Sequence, residues 1–270
     1  MSHLRGFRAV PALMRVGFAE AVAYRAEFVI WMLTTTLPLV NMALWSTVAH
    51  ESPNGQFGSF TQADFVAYYL GTLIIRTLTG SWVVWEMNQE IRMGTLSMRL
   101  LRPIHPFVAY ATQHLAAVPL RAVIALPVLV ILLLTVGGGH VVHDPLLIAI
   151  LPLSIAGAWL ITFVAMLAMG TLGLFMERST AVFEVWLGLF AVLGGYLVPL
   201  DLMPAWLKQL SYWLPFRYML GAPAELMSAK VNRAAALQDL AVQYGFVVVF
   251  VIIAALVWRA GVKRFEAFGG

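Results

Sequence analysis

The chain has 270 residues, of which 61% are hydrophobic and only 11% are charged, and its mean hydropathy is +0.85. This balance excludes an ordinary soluble globular domain and predicts a protein embedded in lipid. The net charge of +4 does not indicate nucleic-acid binding, because the basic residues are scattered beside apolar runs and form no single patch. The absence of cysteine excludes disulfides, thiol nucleophiles and cysteine metal sites.

The first segment, residues 4–24, has the periodicity of an amphipathic helix. Apolar side chains recur on one face and arginines on the opposite face; the two sets are Phe7, Val10, Met14, Phe18 and Ala21, and Arg5, Arg8 and Arg15. The pattern predicts a helix on the inner membrane surface, where arginine meets anionic lipid; the alternative is a solvated basic leader. The apolar run that follows is too long for the core of a cleaved signal peptide, so we expect the N-terminus to be retained.

Six apolar runs follow this segment. Each is near or above the roughly 20 residues that a helix needs to cross the hydrocarbon core of a bilayer. The runs lie at residues 27–49, 63–85, 108–136, 146–174, 182–200 and 240–258. They predict an all-α membrane protein with six transmembrane helices.

Lysine and arginine are distributed unevenly between the two sides of this pattern. One side carries four before the first run, three between residues 86 and 106, one at Arg178 and three after residue 258. The other side carries four, all in the long loop between the fifth and sixth runs, and a long loop weighs little under the positive-inside rule. We therefore expect a multi-pass membrane protein with both termini in the cytoplasm.

Polar residues inside the runs are candidates for function, since a charge in lipid is costly unless it is paired or hydrated. Arg76 is the deepest, because about 1.5 Å per residue from the outer end of the second run places it near the bilayer centre. We expect it to pair with an acid, for which Glu184 is a candidate, or to face a hydrated path. Thr77 and Thr79 would line the same surface or bond back to carbonyls of their own helix.

The loop between the second and third runs, residues 86–103, is too polar to stay in lipid and too apolar for a simple linker. It predicts a short cytoplasmic helix with an exposed apolar edge. Such an edge fits the groove of a soluble partner; the alternative is packing against the ends of the protein's own helices.

Two later loops contain further candidate functional residues. His140, His143 and Asp144 are of metal-ligand type, but they lie in a short loop without a further ligand, so we expect no metal site there. Between the fifth and sixth runs, glycine and proline interrupt an aromatic-rich stretch, which predicts short helices that re-enter the membrane or lie on its outer interface. Such a segment suits a vestibule or gate, or an aromatic belt that anchors the outer ends of the spans, or both.

This layout resembles the type-2 permeases of ATP-binding-cassette exporters. The resemblance rests on the interfacial helix, the six spans, and the motifs Glu90-x-x-x-Gly94-Thr95-Leu96 with Leu101-x-Pro103, Pro199-x-x-x-x-Pro204-x-Trp206-Leu207, and Pro215-Phe216. It covers nearly the whole chain, and residues 263–270 look like the tail of small permeases that work with a separately encoded ATPase. It implies one permease domain over residues 1–270, with the interfacial helix at 1–26, the six-span bundle at 27–258 and a cytoplasmic tail at 259–270.

The resemblance also implies roles for individual residues. The coupling helix would lie in residues 86–103 and contact the ATPase through Glu90, Gly94, Thr95, Leu96, Leu101 and Pro103. The extracytoplasmic gate would include Gly195, Pro199, Pro204, Trp206, Pro215 and Phe216. The translocation path would run between two permeases, with Arg76, Thr77, Thr79 and Glu184 as its polar candidates.

The implied complex joins two permeases, identical or homologous, with two cytoplasmic ATPases that bind ATP and Mg. Membrane lipid would be a further partner, and no nucleic acid is expected to bind. The complex would lie in the bacterial plasma (inner) membrane. This chain would hold no cofactor, metal or catalytic residue. It has no Gly-x-x-x-x-Gly-Lys-Ser/Thr phosphate loop, so we expect it to hydrolyse no ATP alone. Two alternatives stay open. A secondary transporter needs intramembrane carboxylates, and only Glu184 lies plausibly within a span. An intramembrane enzyme needs a catalytic pair at membrane depth, and the runs show none of convincing spacing.

Overall fold

The computed structural model describes residues 9–23, 36–135 and 140–268. Some of the predictions above fall outside these ranges. They concern the start of the amphipathic segment with Arg5, Phe7 and Arg8, the first part of the predicted span 27–49, and the last two residues of the tail. The described residues are mostly helical, which agrees with the predicted all-α membrane class.

The helices follow one another with short connections, and one small β-hairpin interrupts them. In chain order the elements are α1 (Val10–Ala23), α2 (Leu37–Glu51), β1 (Gln56–Phe57), β2 (Phe60–Thr61), α3 (Gln62–Thr79), α4 (Val83–Met93), α5 (Leu96–Leu100), α6 (Pro106–Ala116), α7 (Val118–Thr135), α8 (Pro145–Thr171), α9 (Ser179–Leu193), α10 (Ala205–Tyr212), α11 (Pro215–Met219), α12 (Gly221–Met227) and α13 (Arg233–Phe268). Short 3₁₀ turns at Leu172–Leu174 and Leu200–Leu202 follow α8 and α9.

Three helical stretches in the described ranges are long and apolar enough to cross a membrane: Pro106–Thr135, Pro145–Leu174 and Arg233–Phe265. The helix Ser179–Leu193 is apolar but shorter, because the chain turns at Gly194 and not at the predicted residue 200. The six-span arrangement remains a prediction.

The predicted span 63–85 is not one continuous helix. It divides into α3 and α4 at Gly80, whose ψ of 135° is extended, and glycine is a poor helix former. The neighbouring α6 and α7 also divide, at Ala117. Arg121 on α7 is almost fully buried, donates a hydrogen bond to the Gly80 carbonyl and lies 5.0 Å from the Trp82 ring. A cation at this carbonyl satisfies the free end of α3 and interacts favourably with its dipole.

Helix α8 is the centre of the bundle and packs against α3, α4, α9, α11, α12 and α13. Small residues allow the close approach. A Cβ on Gly157 would lie 2.6 Å from Oε1 of Gln243 on α13, and a Cβ on Gly170 would lie 3.1 Å from Sδ of Met87 on α4. Gln243 also donates through Nε2 to the Ser154 carbonyl at 2.9 Å.

The two ends of α8 meet different parts of the chain. Near its start, Leu147 and Ile150 pack with Leu226 of α12, whereas near its end Gly170 meets α4. A helix of 27 residues is about 40 Å long, so these two regions are far apart. Helix α1 packs separately on α6, where Gln113 donates to Glu20 at 3.2 Å.

Candidate functional site

The region with most of the predicted docking residues is a bent pair of helices, α4 and α5, with the turn that follows. We call residues 83–103 the elbow. Helix α4 ends at Gly94, which has a φ of 72° and donates its N–H to the Ile91 carbonyl at 3.2 Å. Glycine adopts this left-handed conformation without a Cβ penalty, so it ends α4 and allows α5 to start in a new direction. The predicted single helix is therefore two helices.

An arginine between two glutamates holds the bend of the elbow. Arg99 on α5 donates through Nε to Glu90 at 2.9 Å and through Nη2 to Glu86 at 3.1 Å, both on α4. Its guanidinium lies 3.9 Å from the Tyr110 ring, and the Tyr110 hydroxyl donates to Glu90 at 2.5 Å. Burial opposes the charge of Arg99, but Glu90 and Glu86 outweigh it and raise the pKa of Arg99. The elbow is thus a rigid, charged joint.

The apolar side chains of the elbow divide into buried and exposed sets. Leu96 is fully buried and packs in the cluster that includes Met87. Leu101 is 81% exposed and Met98 is 65% exposed. In the isolated chain, the exposed edge therefore contains Leu101 and Met98, whereas Leu96 supports the elbow from inside.

The polar residues predicted to dock also differ in surroundings. Glu90 is occupied by Arg99 and Tyr110. Thr95 and Pro103 are exposed, and the Thr95 hydroxyl donates to the Glu90 carbonyl at 3.4 Å. Of the predicted docking residues after Gly94, Thr95, Leu101 and Pro103 are exposed and can meet a partner's side chain, whereas Leu96 is buried.

Arg76 lies between aromatic rings. Its guanidinium is 5.3 Å from the ring centroids of both Phe190 and Tyr196, and its Nε has no hydrogen-bond partner among the described residues. Cation–π contacts of this kind stabilise a guanidinium where water is scarce. Glu184 is exposed on α9. Among the residues that the structure describes, Arg76 contacts the Phe190 and Tyr196 rings and does not form the suggested ion pair with Glu184.

The two threonines beside Arg76 bond to their own helix. Thr77 donates to the Leu73 carbonyl and Thr79 to the Ile75 carbonyl, each at 2.8 Å. Their hydroxyl groups are therefore satisfied within α3, as the local alternative in the sequence predicts.

At the other end of the bundle, side chains of α2 and α3 hold the chain where α9 ends. Four of them donate to carbonyls of residues 195–197: Tyr68 to Gly195 at 2.8 Å, Asn41 to Tyr196 at 3.0 Å, and Tyr69 and Trp45 to Leu197 at 2.8 and 3.2 Å. Gly195 has a φ of 77°, and a Cβ there would lie 2.5 Å from the Tyr68 hydroxyl. Buried donors thus satisfy an irregular backbone that lipid alone would leave unpaired.

The residues predicted for a gate lie in this region, which we call the 194–228 segment, but they do not form one cluster. Pro199 and Pro215 are buried, and the Phe216 ring lies 4.5 Å from that of Trp186 on α9. Pro204 and Trp206 are exposed at the start of α10. The segment therefore has an inner, packed part and an outer, accessible part.

The sequence analysis does not predict an ionic cluster that joins the same segment to α13. Arg217 on α11 is 2% exposed and contacts Glu225 of α12 at 2.8 Å and Asp239 of α13 at 2.9 Å. Burial raises the pKa of Glu225 to about 7, although Arg217 opposes the shift. In the sequence these charges lie in a long loop and at the start of a helix, and their spacing gave no signal that they meet.

The two histidines of the His140-Val-Val-His143-Asp144 loop contact other protein groups. His140 Nδ1 lies 3.0 Å from Oδ1 of Asp64 on α3, and His143 Nδ1 contacts the Val141 carbonyl. Lys230 also contacts Asp64, at 2.8 Å. Within residues 9–23, 36–135 and 140–268, no group of three or more His, Cys, Asp or Glu residues is placed to hold a metal ion.

Comparison with known proteins gives one finding. The family model described as ABC-2 family transporter protein matches residues 30–269, which is most of the chain and includes both the elbow and the 194–228 segment. A search of curated proteins gives no match.

Proposed function

Because the chain belongs to the ABC-2 family of transporter proteins and is a membrane permease of that family, we propose that it forms the translocation path of an ATP-driven exporter. Its ATPase would be a separate cytoplasmic chain present in two copies, which would bind the ATP and Mg. A second permease, identical or homologous, would complete the path. Membership in this family favours transport powered by an ATPase over the secondary transporter and the intramembrane enzyme that the sequence left open.

The elbow is the proposed docking site, and the observation that carries this role is its exposed apolar edge on a rigid support. Leu101 and Met98 present apolar surface outside the long apolar helices, where water would otherwise cover it. A groove of a soluble partner that buries such an edge gains the hydrophobic contribution, about 25 cal/mol per Å² of apolar surface. Arg99 and the two glutamates keep the edge in one orientation, so a push on α5 would move α4 with it.

Transmission from the elbow to the path would run through α4 and α3. Helix α4 packs against the end of α8, and the break at Gly80 separates it from the part of α3 that carries Arg76. Hinges are often a few residues at the ends of elements that absorb a change in backbone angles. We propose that closure of the two ATPases tilts α4 about the Gly80 break and changes the width of the path beside Arg76.

The 194–228 segment is the proposed extracytoplasmic gate. Its packed part holds the end of α9 against α2 and α3 through the four donors to residues 195–197. Its accessible part, with Pro204 and Trp206, lies at the surface of the chain. The orientation that places this segment on the extracytoplasmic side, with six spans and both termini in the cytoplasm, is part of the proposal.

The docking role is tested by placing a charge on the exposed edge. We expect Leu101→Asp to fold and insert normally but to lose the ATPase during affinity purification in mild detergent, because the partner's groove would have to desolvate a carboxylate. The matched control is Trp213→Asp, which changes an apolar residue that is 83% exposed in the proposed gate and far from the elbow. We expect this control to retain the ATPase.

The measurements are mass spectrometry of the purified complex and ATP hydrolysis by it. Stoichiometric ATPase recovered with Leu101→Asp, at the activity of the unchanged protein, would overturn the docking assignment. Repeated recovery of the unchanged chain without any ATPase would overturn the proposed complex as a whole.

A further inference from the structure

A cavity of about 580 Å³ lies beside the elbow, where α4, the turn between α8 and α9, and the end of α13 meet. The proposed docking edge does not include it. Three arginines from three different parts of the chain line it, Arg92 on α4, Arg178 before α9 and Arg264 on α13, together with one acidic residue, Glu177. The cavity is therefore basic.

Part of this basic wall is held in place. Arg92 donates through Nη2 to the main-chain carbonyl of Glu177 at 2.9 Å, which ties α4 to the turn. Arg264 lies 6.0 Å from the Phe175 ring. A helix dipole favours one cation at the end of α4 or α13, but it does not explain why arginines of both helices and of the intervening turn line the same cavity. Guanidinium groups bind phosphate oxygens in paired hydrogen bonds, so this convergence suits a phosphate group.

Apart from Asn88, the remaining wall is apolar, and it lies at the level of the helix ends. Leu174, Phe175 and Met176 line the cavity, and Met176 is exposed. The apolar stretch Pro145–Leu174 ends at this turn, and the stretch Arg233–Phe265 ends beside it. The cavity therefore lies where the hydrocarbon region gives way to headgroups, with a charged wall beside an apolar wall.

We propose that this cavity binds the phosphate group of an anionic phospholipid. Arg92, Arg178 and Arg264 contact the headgroup, and Leu174, Phe175 and Met176 contact the adjoining glycerol and the first part of the acyl chains. The apolar wall favours a lipid over a free phosphate ion, which would gain nothing from it. Under the proposed orientation the lipid belongs to the inner leaflet. Binding does not depend on the transport function, because it uses only this chain.

The test measures lipid binding to the purified full chain in detergent. The probes are phosphatidylglycerol, phosphatidylcholine with the same acyl chains, and inorganic phosphate, and the readouts are native mass spectrometry and the thermal unfolding midpoint. We expect one phosphatidylglycerol to bind about tenfold more tightly than phosphatidylcholine, because the choline ammonium cancels the charge of the phosphate and is repelled by the three arginines. Phosphatidylglycerol should also raise the thermal unfolding midpoint, and inorganic phosphate should not reproduce this rise.

Variants assign the binding to the cavity. Arg178→Gln and Arg264→Gln should each weaken phosphatidylglycerol binding about tenfold. The controls are Arg259→Gln and Lys263→Gln, which remove the same charge from α13 at exposed residues that do not line the cavity; they should bind like the unchanged protein. Because Arg92 also ties α4 to the turn, Arg92→Gln is a supporting variant only.

Three results would overturn the proposal. They are equal binding of the two lipids, equal loss in the cavity variants and the α13 controls, and an effect of inorganic phosphate as large as that of phosphatidylglycerol. The last would assign the cavity to a soluble phosphate compound.

Discussion

The elbow and the 194–228 segment contain the same two local features in different surroundings. Each turns at a glycine with positive φ, Gly94 or Gly195, and each contains an arginine between two carboxylates. A Cβ on Gly94 would meet nothing within 4 Å, whereas one on Gly195 would strike the Tyr68 hydroxyl. The elbow thus supports an exposed edge from one side, whereas the inner part of the 194–228 segment, around Gly195 and Arg217, is buried. Under the proposed function, the same local features would present a docking edge in the elbow and hold the backbone in place in the 194–228 segment.

Replacing Arg217 and Arg99 should show the largest difference in stability between the two regions. We expect Arg217→Gln to lower the free energy of unfolding by about 3–5 kcal/mol, because it leaves the buried carboxyl group of Glu225 and the partly buried one of Asp239 without a counter-charge. Arg99→Gln should cost about 2 kcal/mol, since Glu86 and Glu90 keep some contact with water. Thermal unfolding in detergent measures both, and a larger loss for Arg99→Gln would contradict the comparison.

Alanine at the two glycines should have a smaller but equally different effect. Gly195→Ala combines an unfavourable backbone angle with the clash against Tyr68, so we expect a loss of about 3 kcal/mol. Gly94→Ala has the same unfavourable angle in open space, so about 1 kcal/mol is expected. The thermal unfolding midpoints of the two variants, measured side by side, test this difference. Equal losses of stability would contradict it and would mean that Tyr68 moves aside at little cost.

The pH dependence of stability should be a property of the 194–228 segment. The pKa of Glu225 is about 7 in the folded chain, above its usual value, so the folded state holds a proton more tightly than the unfolded state. The stabilisation is complete below the unfolded pKa and is lost as pH rises through about 7. We expect a loss of about 1 kcal/mol between about pH 6 and pH 8.

Two variants place this pH effect. Glu225→Gln should flatten the dependence of the unfolding midpoint on pH over this range, whereas Glu184→Gln, at an exposed carboxylate of α9, should leave it unchanged. A pH dependence that survives in Glu225→Gln would assign the titration to another group.

Much of the architecture could be predicted from the residues alone. Composition required a membrane protein, and the long apolar runs indicated the stretches that the structure shows as Pro106–Thr135, Pro145–Leu174 and Arg233–Phe265. The motifs around Gly94 and Pro204 led to the type-2 permeases, and the family match agrees. These features are local: length, apolarity and motif spacing are properties of one segment and do not depend on its neighbours.

The side-chain partners depended on the assembled bundle. Leu96 and Leu101 are both leucines of one short loop, yet the first is buried and the second exposed. Arg76 lies between two rings and not beside Glu184, and Arg217 meets acids from two other helices. Periodicity identifies the faces of one helix but not which helix will cover them. In a membrane, moreover, surfaces that face lipid and surfaces that face the core are both apolar, so hydrophobicity alone cannot tell them apart.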